Sequence, residues 1–200
     1  MGTIAANLKE EFNIDEDSTV ALFAPNHVDY IPICLATAMC GAKLTPINPL
    51  FKAKELVTIL NRSHSKVIIS HWSTLDVALE ALKDAEHVQH VITIPEDDKL
   101  PVPEGVISLS SLKEHSNPIH VTSEKVFNDP SEHPFLLPYS SGTTGLPKGV
   151  CLSHSNLVAN LLQIEAIESL ALPSVRGVML VYFWYLRLHF EYYSQLMRKT

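Results

Sequence analysis

The ten residues after Tyr139, Ser140-Ser141-Gly142-Thr143-Thr144-Gly145-Leu146-Pro147-Lys148-Gly149, gather three glycines, four hydroxyl side chains and one lysine. Glycine at such positions lets a backbone come close to a ligand. Ser140, Ser141, Thr143 and Thr144 add side-chain donors beside exposed backbone N–H groups. Lys148 adds a compact positive charge. A concavity of N–H groups, hydroxyls and one ammonium suits a polyphosphate. A Ser/Gly/Thr run is more often a flexible surface linker. Here both flanks are apolar and strand-like, Phe135-Leu-Leu-Pro-Tyr139 before and Val150-Cys-Leu152 after, and a linker does not call for that.

The rival phosphate motif is G-x-x-x-x-G-K-[ST]. Its register fails: Pro147 stands where that motif needs glycine, and Gly149 where it needs the hydroxyl residue that holds a metal. This is a phosphate loop of another kind.

Composition narrows the field. A chain of 200 residues with 46% hydrophobic content can build one sizeable domain or two small ones. Net charge is −7 and no basic run occurs, which disfavours nucleic acid as a partner. No stretch approaches the ~20 apolar residues of a membrane span, and no signal peptide is expected at the start. Cys34, Cys40 and Cys151 form no C-x-x-C pair and read as reduced, buried residues of an intracellular protein. His87 and His90 read as residues on opposite faces of a strand rather than a metal site. His154 reads either as a polar contact near a nucleotide or as a histidine that fixes a helix start, the second being the commoner role.

Periodicity supplies the frame that holds the loop. Ile4, Leu8 and Phe12 predict an amphipathic helix, and Asn13–Ser18 an acidic turn. Thr19–Ala24 reads as a buried strand. Asp29 precedes a helix over Tyr30–Cys40 closed by Gly41. Lys43–Pro46, Lys66–Ser70, Val88–Ile94 and Val106-Ile107 read as further strands. Helices are predicted over Lys52–Ser63, from a Ser73 or Thr74 cap through Leu82, and over Ser110–Glu114. Asn117–Pro134 reads as an irregular linker. Val150–Leu152 reads as a strand, followed by a helix from Ser153 or Ser155 to about Ser169 with Leu157, Leu161, Ile164 and Ile167 inward. Strands alternating with helices predict an α/β fold of βαβ units on a parallel sheet.

The loop Tyr139–Gly149, continuing into Leu152-Ser-His-Ser-Asn-Leu157, resembles the phosphate-binding loop of the adenylate-forming enzymes, nearest the 4-coumarate–CoA ligase, acyl-CoA synthetase and luciferase-like branch. Val20-Ala-Leu-Phe-Ala-Pro-Asn-His27 and Gly41-Ala-Lys-Leu-Thr-Pro-Ile-Asn-Pro49 resemble that family's N-terminal domain. The resemblance implies activation of a carboxylic acid by Mg·ATP as an acyl-adenylate, followed by thioester formation with coenzyme A. It implies that Ser140, Ser141, Gly142, Thr143, Thr144, Gly145, Lys148 and Gly149 bind the ATP phosphates. Its cofactors would be ATP, Mg²⁺ and coenzyme A, and its compartment the cytoplasm or the peroxisome, although Met197-Arg-Lys-Thr200 is not a Ser-Lys-Leu ending.

On this reading, residues 1–170 are a partial N-terminal AMP-binding domain and 171–200 an aromatic-rich divergent tail. Tyr182–Tyr193 alone holds seven of the chain's fifteen aromatics, and no proline interrupts it. The family's adenine and ribose motifs and its catalytic lysine are expected beyond Thr200, so the chain reads as truncated and no catalytic residue is assigned. The competing expectation is a non-catalytic remnant that binds phosphate or a partner.

Overall fold

The computed structural model describes residues 2–97, 101–114, 129–140 and 147–168. The Ser141–Leu146 segment, the greater part of the expected linker and the aromatic-rich segment 171–200 lie outside the described residues. Among the described residues, those up to Ser153 form one compact unit and those from His154 belong to a second.

The first unit is an α/β sandwich. Its sheet holds β1 (Thr19–Phe23), β2 (Lys43–Ile47), β3 (Ser65–His71), β4 (His90–Ile94), β5 (Val106–Ser108), β6 (Pro134–Leu136) and a last strand, Leu152–Ser153, in the order β5-β4-β3-β1-β2-β6 and then the last strand. Every pairing is parallel except the last, in which β6 runs antiparallel to its neighbour. β1 is central and all five of its residues are buried, as a strand covered on both faces must be. Ala21 and Phe23 point to one face, where they join Leu56, Ile59 and Leu60 of α3 (Ala53–Ser63) and Leu75 and Ala78 of α4 (Leu75–Ala81). Pleating sends Val20 and Leu22, also fully buried, to the other side. Helices α1 (Gly2–Glu10), α2 (Tyr30–Met39) and α5 (Leu109–Glu114) form a second helical group, with α1 against both α2 and α5. Asn7 Nδ2 fastens this group by donating to the Leu112 carbonyl at 2.7 Å in a buried position.

Local chemistry explains the ends of these elements. Gly41 takes φ 77° after α2, the left-handed conformation that closes a helix at no steric cost. Glu55 of α3 accepts from the Lys52 N–H at 2.9 Å, half of a capping box. In the turn before β1, Asp15 accepts from the Ser18 hydroxyl at 2.7 Å and from the amides of Ser18 and Asp17. These bonds, the hydroxyl first, hold the exposed Asp15 carboxyl below its ordinary 3.8. A carboxyl depressed in the folded state contributes stability above its unfolded value and loses it as pH falls through the folded one. Ser18→Ala is therefore expected to reduce the acid sensitivity of unfolding below about pH 4, read as a flatter urea midpoint against pH.

Several sequence expectations need correction. Neither Ser73 nor Thr74 caps α4 with its side chain. Trp72–Thr74 forms a short 3-10 turn, and the Thr74 hydroxyl instead donates to the Phe23 carbonyl at 2.8 Å, tying this turn to the end of β1. β4 begins at His90, not Val88. Pro134 belongs to β6 rather than to a linker. Val150 and Cys151 are not in a strand: Lys148–Gly149 and Leu152–Ser153 are, with the chain turning between them.

The second unit begins with α6 (His154–Glu168), directly after Ser153. Leu161, expected to point inward, is exposed, as are Val158 and Leu162. Apolar residues stand on more than one side of this helix, so no single stripe fixes its inner face.

Candidate functional site

Tyr139–Ser140 (β7) and Lys148–Gly149 (β8) form a separate antiparallel ladder, with Tyr139 opposite Gly149 and Ser140 opposite Lys148. With these two strands inserted in chain order, Leu152–Ser153 is β9. The Val150 N–H extends the pairing by donating to the Pro138 carbonyl at 2.9 Å. The loop is therefore closed at its base by a hairpin. Of the expected site residues, Lys148 and Gly149 lie in β8 and the Ser140 backbone lies in β7. Ser141, Gly142, Thr143, Thr144 and Gly145 lie outside the described residues.

The sheet positions this hairpin. Thr45 Oγ1 of β2 donates to the Leu137 carbonyl at 2.7 Å, and the Leu137 N–H donates to the Leu44 carbonyl at 2.8 Å. The chain thus leaves β6 tied to β2 through both the N–H and the carbonyl of Leu137, just before Tyr139. Tyr139 packs, half-buried, against the α3–α4 core cluster. Burial pushes its phenol above the ordinary value, with the Arg62 guanidinium partly opposing. A Cβ placed on Gly149 would stand 3.1 Å from Tyr139 Cε1 and 3.2 Å from Cζ. A side chain at 149 would therefore press the Tyr139 ring outward by a few tenths of an ångström.

Arg62, in the last turn of α3, was not found by the sequence reading. Its Nη1 donates to the Pro147 carbonyl at 2.5 Å, across 85 residues of sequence. It places a guanidinium beside the residue that precedes exposed Lys148. An Arg in the last helical turn reads from sequence as a favourable helix-dipole charge, and only the packing of the hairpin on α3 gives it a second role.

Cys34 and Cys40 are buried, and burial pushes their thiols to about 12 and about 11, so neither is a ready nucleophile. Cys151 is exposed, against expectation, because the chain between β8 and β9 lies outside the sheet. His87 stacks on His64 with ring centroids 4.4 Å apart, whereas His90 sits 4.9 Å from Phe12. Among the described residues no group of three His, Cys, Asp or Glu could hold a metal ion, and no helix is long and apolar enough to cross a membrane.

Comparison with known proteins agrees with this geometry. The sequence profile described as AMP-binding enzyme matches residues 2–196. The chain is 32% identical over 160 residues to 4-coumarate–CoA ligase 1 of Arabidopsis thaliana, covering 80% of this chain and 28% of that protein. Among solved structures, a long-chain-fatty-acid–CoA ligase from Archaeoglobus fulgidus superposes with a TM-score of 0.67 at 30% identity, over 82% of this chain and 30% of that one. A red-emitting luciferase from Phrixothrix hirtus gives 0.65 at 26% identity, over 76% of this chain and 36% of that one. The chain spans under a third of the length of the curated relatives it matches. A profile match over nearly its whole length, an α/β sheet shared with solved relatives and a hairpin-closed Ser/Thr/Gly loop ending in lysine lead to one conclusion: the chain belongs to the AMP-binding enzyme family.

Proposed function

We propose that this chain carries the ATP phosphate-binding part of an enzyme that activates a carboxylic acid as its acyl-adenylate and passes the acyl group to coenzyme A. The observation that carries the reading is the hairpin Tyr139–Gly149, which closes a hydroxyl-rich loop beside two cations, Arg62 and Lys148. That donor set fits a nucleotide polyphosphate, with Mg²⁺ accompanying the phosphate oxygens. Lys148 is exposed at the loop's end, where its ammonium can meet phosphate charge. Gly149 is pressed against Tyr139, which fixes the strand carrying that lysine. The hydroxyls of Ser140, Ser141, Thr143 and Thr144 are assigned to the phosphates together with the Gly142 and Gly145 backbone.

Attack of a carboxylate on the α-phosphate leaves pyrophosphate, and negative charge builds on the leaving oxygens. Donors held on a loop whose ends are closed by a hairpin would stabilise that charge with little reorganisation during the step. Arg62 contributes by holding the Pro147 carbonyl, and so the approach to Lys148, in place. Arg62→Ala is expected to weaken Mg·ATP binding several-fold while costing no more than about 1 kcal/mol of global stability, as befits an exposed hydrogen bond. Isothermal titration beside a urea melt measures both. An Arg62→Ala chain that binds Mg·ATP as tightly as its parent removes Arg62 from the site.

Exchange of labelled pyrophosphate into ATP, run over aromatic, fatty and branched carboxylic acids, tests the activity. Exchange that depends on one class of acid supports the ligase reading and names the substrate class. Mg·ATP binding with no exchange under any acid would instead leave a phosphate-binding module without chemistry.

A further inference from the structure

The strand order β5-β4-β3-β1-β2 contains a topological switch point. From β1 the chain leaves toward β2 on one side, and from β3 it leaves toward β4 on the other. In open parallel sheets of this order, a crevice opens outside the carboxyl ends of those two strands, and ligands bind there. Two histidines stand at that place. His27 lies in the loop after β1 and His71 is the last residue of β3. Their ring centroids are 5.4 Å apart, tilted by 49°.

Each ring meets at Nδ1 the backbone N–H two residues on, and His71 Nδ1 also lies 2.8 Å from Ser73 Oγ. The Asp29 N–H donates to His27 Nδ1 at 3.2 Å, and the Ser73 N–H donates to His71 Nδ1 at 3.1 Å. The loops that carry them are also tied down. Thr74 Oγ1 bonds the Phe23 carbonyl at 2.8 Å and lies 3.0 Å from Ser70 Oγ. The Tyr30 N–H donates to the His27 carbonyl at 3.1 Å. A neutral imidazole that accepts at Nδ1 carries its proton on Nε2. Neither Nε2 has a hydrogen-bond partner among the described residues. The loop after β1 and the end of β3 therefore each carry an Nε2–H donor. This tautomer disfavours a metal ion, which needs the Nε2 lone pair.

The surrounding charges permit an anion. Asp29, 3.4 Å from His27 Nδ1, is matched by Lys113 Nζ at 2.7 Å. Glu96, after β4, is the remaining acid that acts on His71. Desolvation first, and His27 second, hold His71 below its ordinary value, so this ring is a neutral donor at physiological pH.

We propose that the crevice at the carboxyl ends of β1 and β3 is a second ligand site, in which His27 and His71 hold a small oxyanion, a phosphate or carboxylate group, through their Nε2–H groups. The site is separate from the loop at 139–149 and does not depend on the reading given to that loop.

Long-range nitrogen–proton spectra of the histidine rings, recorded on the full 200-residue chain with inorganic phosphate or acetate as probe, test it. Before addition, both rings should show the Nε2–H tautomer. On addition, the Nε2 signals of His27 and His71 should move together along one binding curve. The stronger of the two probes tells a phosphate ligand from a carboxylate. His27→Asn and His71→Asn keep an acceptor where Nδ1 sits and remove the Nε2 donor. Each should weaken binding about tenfold or more, the effect of losing a charge-assisted hydrogen bond, with an unchanged circular dichroism spectrum. Lys148→Ala should leave the ring response intact, which separates this site from phosphate held by the loop. The proposal is overturned if neither ring responds to either anion, if both Asn variants bind as tightly as the parent, or if added Zn²⁺ binds at both Nε2 atoms.

Discussion

Phe23→Ala is expected to destabilise the fold by about 3–5 kcal/mol, the largest effect of any single substitution considered. Phe23 is fully buried at the end of the central strand and packs among Leu56, Ile59, Leu60 and Leu75. Those side chains come from two helices held by their own sheet connections, so they cannot collapse far into the space a phenyl ring leaves. For a domain of this size the loss corresponds to a fall of roughly 10 °C in melting temperature. Urea unfolding measures it. A cost below about 1 kcal/mol would mean that the α3–α4 layer is not packed on β1 as described.

The second large effect belongs to the hairpin. Gly149→Val is expected to cost about 1–3 kcal/mol through overpacking, because Tyr139 Cε1 already stands 3.1 Å from where a Cβ would sit. Valine suits strands, so propensity alone predicts the opposite sign, and the steric term decides. The clash should also move Lys148, its chain neighbour, and weaken Mg·ATP binding. Combining Gly149→Val with Tyr139→Ala should recover part of both losses, because the two positions are opposite one another in the ladder. Strict additivity of the two substitutions would show that ring and glycine do not meet.

The sequence spoke most clearly where structure is local or wholly buried. The apolar run at β1, the spacing of Leu56, Ile59 and Leu60 in α3, and Gly41 after α2 all declare themselves within a few residues. The α/β alternation and the parallel sheet followed from them. What the sequence hid depends on pairing between distant segments. β8 and β9 are two residues each, and a ladder that short is set by its partner rather than by its own pattern. Thr74 carries a good capping side chain, yet the Phe23 carbonyl from the neighbouring strand takes its hydroxyl.

The candidate sites divide in the same way. The loop after Tyr139 drew notice as a candidate because its hydroxyls, glycines and lysine are concentrated in ten consecutive residues. Arg62 was not, since the Pro147 carbonyl it holds lies 85 positions away. His27 and His71 look like two of ten scattered histidines until the β1–β3 pairing brings their turns together.

The central claim is that the hairpin-closed loop binds the phosphates of ATP through Lys148. The most direct test is a thermal melt of the chain with and without Mg·ATP, beside Lys148→Ala. At ~100 times its dissociation constant the nucleotide should stabilise the parent by roughly 2.7 kcal/mol, and Lys148→Ala should remove most of that gain while leaving the nucleotide-free melt unchanged. A parent melt that Mg·ATP does not raise, or an equal rise in Lys148→Ala, would contradict the account.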